Sequence, residues 1–410
     1  MLNNGFFLFS HEKERTKAAY LWTFILNAPF WAIFNMLPFI LVKDLGASAL
    51  QITVLVTLKP AVSLLSVYWS DYVKERADRL VPNVVLGSVL SKIPFLFLPW
   101  ITNIWMIIGI YAFYMLLQRG VVPAWMELLK LGVEKESRSR IVSYGITLSY
   151  VASAIFPVFF GWMMDDYDEA WRIIFPIVSL FSLVSLYFQL QIPAQEENKA
   201  PKRALSLLAP WKTLFKLLRE RRDFFHFQMG FMLGGFGLII LQPILPDFYT
   251  HVLNLNYKEL GLATNLCKGV GFALASPFWA NWISRAPIFR FTSLVAFVSA
   301  LFALQLLFAQ SLFIWLFAAY ISYGFMQAGS QLVWKLSGPI FSPDEDSSAY
   351  TSVNILMVGI RGLIANPLGG LIAYGAGLTG VMLLSVFLCL SGSLYLFRAG
   401  QRMKLVEASP

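Results

Sequence analysis

The stretch Gln118-Arg119-Gly120-Val121-Val122-Pro123-Ala124-Trp125 returns 209 residues later as Gln327-Ala328-Gly329-Ser330-Gln331-Leu332-Val333-Trp334. Gln, Gly and Trp keep their register. The same offset sets Tyr111 on Tyr320, Tyr114 on Tyr323, Ser143 on Ser352, Gly161 on Gly370 and Lys59 on Lys268. One inserted residue then brings Trp69 onto Trp279, Asp71 onto Asn281 and Pro157 onto Pro367. A period of half the chain length means two related halves.

The composition says what surrounds those halves. Of 410 residues, 58% are hydrophobic and 13% charged, against about 25% charged in an average soluble domain. Mean hydropathy is +0.64. The 36 Phe and 13 Trp residues suit a chain whose rings sit at lipid interfaces. This predicts an all-α integral membrane protein. The apolar opening stretch through Phe9 is short and does not read as a cleavable signal peptide.

A helix needs about 20 apolar residues to cross the hydrocarbon core. Twelve segments qualify: 18–42, 50–70, 82–100, 103–123, 141–164, 171–191, 224–248, 258–283, 288–309, 311–333, 350–374 and 378–397. The one long polar connection spans 192–223 and ends in an amphipathic basic stretch, Trp211 to Arg222. It divides the chain into a six-helix bundle (1–191), a cytoplasmic linker and a second six-helix bundle (224–410). The basic stretch reads either as a helix lying partly on the lipid surface or as an ordinary solvated helix. Six is an even number, so the halves are parallel repeats about an axis along the membrane normal.

Charge placement sets the orientation. With the N-terminus inside, 24 Lys/Arg fall in inside segments and only Lys43, Arg172 and Lys258 in outside loops. Both termini are therefore expected in the cytoplasm, following the excess of basic residues in inside loops. That bias accounts for the net charge of +9, so no nucleic-acid partner is called for. Cys267 and Cys389 lie in apolar segments and imply no disulfide framework. His11, His226 and His251 are scattered, without metal-ligand spacing. No phosphate-cradling loop or Ser/His/Asp arrangement appears. Neither enzyme activity nor a cofactor is expected.

At this point the chain resembles the major facilitator superfamily, over essentially its whole length. Trp69-Ser70-Asp71-Tyr72-Val73-Lys74-Glu75-Arg76 is a degraded match to the family's motif between the second and third helices. Asp71 fits its acidic position, while the glycines are absent. The fourth-helix motif survives as Gln118 and Gly120, with Arg119 inserted between them. The resemblance implies secondary transport, with the two halves rocking around a central site. It also implies that the second and eighth helices face each other beside the cavity. The superfamily's nitrate/nitrite porters have a cationic residue on each of these helices, gripping the anion.

Five cations lie within segments: Lys59, Lys92, Arg119, Lys268 and Arg361. Lys59 is about nine residues into its segment, roughly 13 Å deep at 1.5 Å per residue. Lys268 is at similar depth. A cation there costs a few kcal/mol on insertion scales. Two at equivalent positions read as a clamp for an anionic substrate, whereas a lysine that bonds a backbone carbonyl or snorkels would serve assembly. Arg361, with Ala152 as its mate, is the next cation for substrate contact. Gln118, Gln327, Asn35, Gln242 and Asn265 are polar groups expected to line the cavity, with Asn27, Asn354 and Asn366 as further choices. Asp71, Arg119 and Glu127 are expected at a cytoplasmic gate. Lys92, close to Pro94, reads as structural.

None of the 23 Asp/Glu lies in the middle of a segment. Proton- or sodium-coupled carriers place a titrating acid in the cavity. Its absence favours an anionic solute and exchange or facilitated passage. The expected protein is thus a transporter of small organic or inorganic anions, an antiporter or facilitator, monomeric, in a bacterial inner membrane. The alternatives are efflux of hydrophobic compounds and a non-transporting sensor or assembly factor on the same fold.

Overall fold

The computed structural model describes residues 12–75, 79–133, 135–193, 208–283, 285–342 and 347–407, and only the backbone in helical stretches such as 69–75 and 146–150. Regular structure among these residues is helical throughout. The longer helices are, in order, α1 (Glu12–Lys43), α2 (Ala49–Glu75), α3 (Leu80–Leu96), α4 (Ile104–Gly132), α5 (Lys135–Asp166), α6 (Trp171–Leu183), α7 (Ala209–Glu220), α8 (Arg222–Ile239), α9 (Lys268–Ile283), α10 (Ile288–Ala309), α11 (Ile314–Phe341) and α12 (Ser347–Glu407), with shorter helical turns between some of them. Among the described residues, five apolar runs are long enough, by length and composition, to cross a membrane: Arg15–Lys43, Leu80–Trp100, Trp171–Gln189, Ile288–Ala309 and Ala349–Met403.

Local chemistry sets the boundaries. Asn103 caps α4 by accepting from the backbone N–H of Trp105 at 2.9 Å. Asn256 and Glu259 form a reciprocal capping box at the entry to the helical turn Tyr257–Gly261. The predicted segments 350–374 and 378–397 both lie within α12, broken at Gly377, where φ is 71°. That left-handed value suits glycine, which has no Cβ to clash.

Contacts gather the chain into two units, one of residues 1–40 and 65–206, the other of 41–64 and 207–410. The first half of α2, with Lys59, thus packs in the second unit. There it runs antiparallel along α12. Leu64 lies against Gly359 and Pro60 against Gly362, while Thr53 meets Gly370. Between them Asn366 Nδ2 donates to the Val56 carbonyl at 3.2 Å.

The first unit is centred on rings. Phe30 and Phe95 meet edge to face at 4.9 Å, and Phe34 stacks on Tyr111 at 4.7 Å. Lys92 is buried here, 1% exposed. Its Nζ lies 5.0 Å from the Phe30 ring centroid and 5.3 Å from that of Tyr114. Cation–π attraction offsets part of its desolvation. This is the packing role expected of Lys92. Lys92→Met keeps the volume and removes the charge, and is expected to match or exceed wild-type thermal stability in detergent. Lys92→Ala opens a cavity and is expected to lose about 2–5 kcal/mol, the range for large-to-small core changes. A loss in Lys92→Met equal to that in Lys92→Ala would show that the charge itself is needed.

Candidate functional site

The second unit holds the cations that the repeat brings forward. Segment 258–283 is not one regular helix. After the turn Tyr257–Gly261, residues Leu262–Cys267 form a π-helical turn, and α9 begins at Lys268. Such a turn shifts the backbone bonds to i→i+5 and is a frequent companion of functional sites. Lys268 therefore sits where helical register changes. The crossing of α9 and α11 fixes its backbone. A Cβ on Gly324 would lie 2.0 Å from the Lys268 carbonyl oxygen, and one on Gly271 would lie 2.1 Å from that of Ile321. Trp279 Nε1 donates to the Phe325 carbonyl at 2.7 Å and ties the same two helices.

Lys268 is half-buried and Lys59 exposed. The two ammonium groups are near enough for the positive charge of Lys59 to act on Lys268. Their like charges repel, so the fold and not mutual attraction holds them together. Among the described residues, no hydrogen bond or ion pair occupies the Lys268 ammonium group.

Arg361 on α12 reaches back to α8. Its Nη1 donates to the Phe231 carbonyl at 3.2 Å, and its guanidinium carbon lies 5.6 Å from the Phe231 ring centroid. Gly235 makes the room, because a Cβ there would stand 1.7 Å from Nη1. Arg361 thus makes the carbonyl bond that a structural arginine would make. Its Nε, however, is buried without a hydrogen-bond partner among the described residues, as are Gln327 Oε1 and Asn366 Oδ1. Each such orphan costs about 1–3 kcal/mol. Pro60, next to Lys59, lies against Gly362, next to Arg361, so the two cations flank one helix contact.

Asn265 is 7% exposed, and its Nδ2 donates to Thr264 Oγ1 at 2.8 Å. Gln242 is exposed in the turn after α8. Asn354 differs from expectation. It donates to Ser337 Oγ at 2.8 Å and accepts from Gln228. It is 2% exposed, a buried knot between α8, α11 and α12 and not a cavity-facing group. A polar cluster that the sequence reading did not assign to the site lies between α11 and the π-helical turn Phe248–Val252. The hydroxyls of Tyr249 and Tyr320 hydrogen-bond each other, with Tyr323 6.1 Å from Tyr320 by ring centroids. Repeat positions Tyr320 and Tyr323 were the available signal.

In the first unit, Asn35 is exposed and its Nδ2 donates to the Trp31 carbonyl at 2.8 Å. Gln118 Nε2 donates to Ser91 Oγ at 3.3 Å, linking α4 to α3. Asn27 donates to the Thr23 carbonyl and accepts from Ser182 Oγ, joining α1 to α6. Glu127 is half-buried. The Asp71 and Arg119 side chains fall outside the described residues. Among the described residues, no three His, Cys, Asp or Glu side chains gather as metal ligands.

The family profile described as Major Facilitator Superfamily matches residues 19–334. No curated protein sequence matches the chain. Several solved structures share the fold. A POT family transporter in complex with 5-aminolevulinic acid has a TM-score of 0.76 at 13% identity, over 95% of this chain and 96% of that one. The nucleoside transporter NupG, as a point variant, has a TM-score of 0.67 at 13% identity, over 95% and 99%. A bacterial homologue of the human lysosomal transporter Spinster, inward-facing and unoccupied, has a TM-score of 0.65 at 14% identity, over 96% and 98%.

Proposed function

The chain belongs to the major facilitator superfamily, and from that premise we propose that it carries a small anionic solute across the membrane by alternating access. Membership makes it a multi-pass membrane transporter and points away from an enzyme. The observation that supports an anion is the pair Lys59 and Lys268. Two like charges share one neighbourhood in the second unit, and the half-buried member has no protein counter-ion among the described residues.

Lys59 and Lys268 act as point charges that neutralise the substrate. Lysine suits a phosphate or carboxylate that needs no fixed bidentate geometry. Arg361 adds a planar donor, and Gln327, Gln242 and Asn265 supply hydrogen bonds from the same unit. Asn35 and Gln118 are further polar groups proposed for substrate binding, and Asp71, Arg119 and Glu127 are proposed for the cytoplasmic gate. With no acid in the middle of a predicted segment, the cycle is exchange or facilitated passage. The carrier is a monomer in a bacterial inner membrane with both termini in the cytoplasm.

The test is a thermal-shift series on the purified protein with phosphate, nitrate, short carboxylates and neutral sugars. A ligand that binds only the folded state at 100 times its Kd stabilises by about 2.7 kcal/mol. At least one anion class is expected to raise the melting temperature, and the sugars to leave it unchanged. Gly235→Ala, which displaces the Arg361 guanidinium, is expected to shrink that rise. Hydrogen bonds to charged groups contribute about 1.5–3 kcal/mol. Stabilisation by hydrophobic cations alone would favour the efflux reading instead.

A further inference from the structure

The short helix α7 carries a surface that transport leaves unexplained. Lys212, Phe215, Lys216 and Arg219 stand at i, i+3, i+4 and i+7, and therefore share one face. All four are exposed, Phe215 at 68%. The other side is turned inward. Leu214 is 3% exposed, and Trp211, Leu217 and Leu218 are half-buried, where α7 packs on α8 and α12. Glu220 is the one acid in α7.

Position adds to pattern. Arg221 alone separates α7 from α8, with φ −108° and ψ 89° breaking the helix. Its guanidinium donates to Tyr350 Oη at 2.8 Å and to Asp223 Oδ2 at 2.9 Å. The corner is thus pinned to the start of α12, and α7 cannot swing freely. Phe215 lies six residues before the corner, about 9 Å along the helix. The face therefore stands close to where α8 enters the bilayer. Placed in water, it would expose a phenyl ring among three cations. Placed on an anionic leaflet, the ring enters the boundary between headgroups and acyl chains while the cations meet phosphates.

We infer that Lys212, Phe215, Lys216 and Arg219 form a binding face for the phosphate headgroups of anionic phospholipid, anchoring the linker helix to the membrane surface. The ring and the basic arc supply the two signals, apolar and electrostatic, that stable interfacial binding needs. The inference rests on membership of a membrane family and on α7, and is independent of the substrate.

The experiment is hydrogen–deuterium exchange of residues 209–220 in the full-length protein. It is run in nanodiscs of phosphatidylcholine alone and of phosphatidylcholine with phosphatidylglycerol. Exchange is expected to slow roughly tenfold or more with the anionic lipid, the scale set by three basic residues at such a surface. High salt is expected to reverse the slowing, and Lys212→Gln/Lys216→Gln/Arg219→Gln to remove it. Equal wild-type exchange in the two bilayers would overturn the inference, whatever the variant does. Slowing by free inorganic phosphate in the phosphatidylcholine discs would also overturn it, because the ligand would then not be lipid.

Discussion

Lys268→Met is expected to raise the stability of the ligand-free protein and to cut sharply its stabilisation by anions. The two effects have opposite signs because one charge causes both. In the empty protein, Lys268 is a half-buried cation beside a second cation, and methionine fills a similar volume without desolvation or repulsion. Replacing buried charges by apolar groups stabilises by about 1–4 kcal/mol where packing is kept. With the anion bound, the same change leaves the substrate facing Lys59 alone. Truncating one partner of a buried, hydrogen-bonded charge pair costs about 2–5 kcal/mol, a loss of roughly thirtyfold or more in affinity. Thermal denaturation with and without the anion reads both effects on one sample. A lysine that served only assembly would give the reverse pattern, lower stability with ligand response intact.

Gly324→Val is expected to be the most damaging change in the second unit that alters no polar group. Any Cβ at this position would lie 2.0 Å from the Lys268 carbonyl oxygen and 2.7 Å from the Phe272 nitrogen. Both are backbone atoms and cannot rotate away. The helices α9 and α11 must separate, which also loosens the Trp279–Phe325 hydrogen bond. Overpacking of this kind costs about 1–3 kcal/mol and occasionally more. Lys268 begins α9 at the crossing, so its side chain shifts with the backbone. Folded Gly324→Val should therefore melt lower and bind the anion more weakly. In Gly235→Ala the atoms displaced belong to the end of the flexible Arg361 side chain, so stability should fall less than in Gly324→Val while binding falls. Wild-type stability in Gly324→Val would show that the crossing is looser than the geometry implies.

Hydropathy made the helices legible because crossing a membrane demands long apolar runs. Segment 288–309 coincides with α10, Ile288–Ala309. Segment 224–248 was legible in extent but not in course. Its helix ends at Ile239, a turn holds Pro243, and a π-helical turn follows over Phe248–Val252. Proline marks such a break in sequence, but the shift to i→i+5 bonding leaves no trace in hydropathy. The repeat carried Lys59 and Lys268, since an offset of 209 residues needs no structure to be seen. The close approach of Gly324 to Lys268 depends on how two helices cross, which neither glycine announces alone. Arg361 was recognisable as a costly charge, but its bond to the Phe231 carbonyl joins residues 130 apart in sequence. Asn354 misled for a related reason. Intramembrane amides both line cavities and tie helices together, and only its partners Ser337 and Gln228 separate the two uses.

The most direct test of the lysine pair is anion uptake into liposomes by the wild type, Lys59→Ala, Lys268→Ala and the double variant. The anion is one that stabilises the wild type in the thermal-shift series. If both ammonium groups hold one substrate, each single change should abolish most of the uptake and the double change should add little. Groups in one network depart from additivity in this way. Unchanged uptake and binding in both single variants would contradict the pair as an anion clamp.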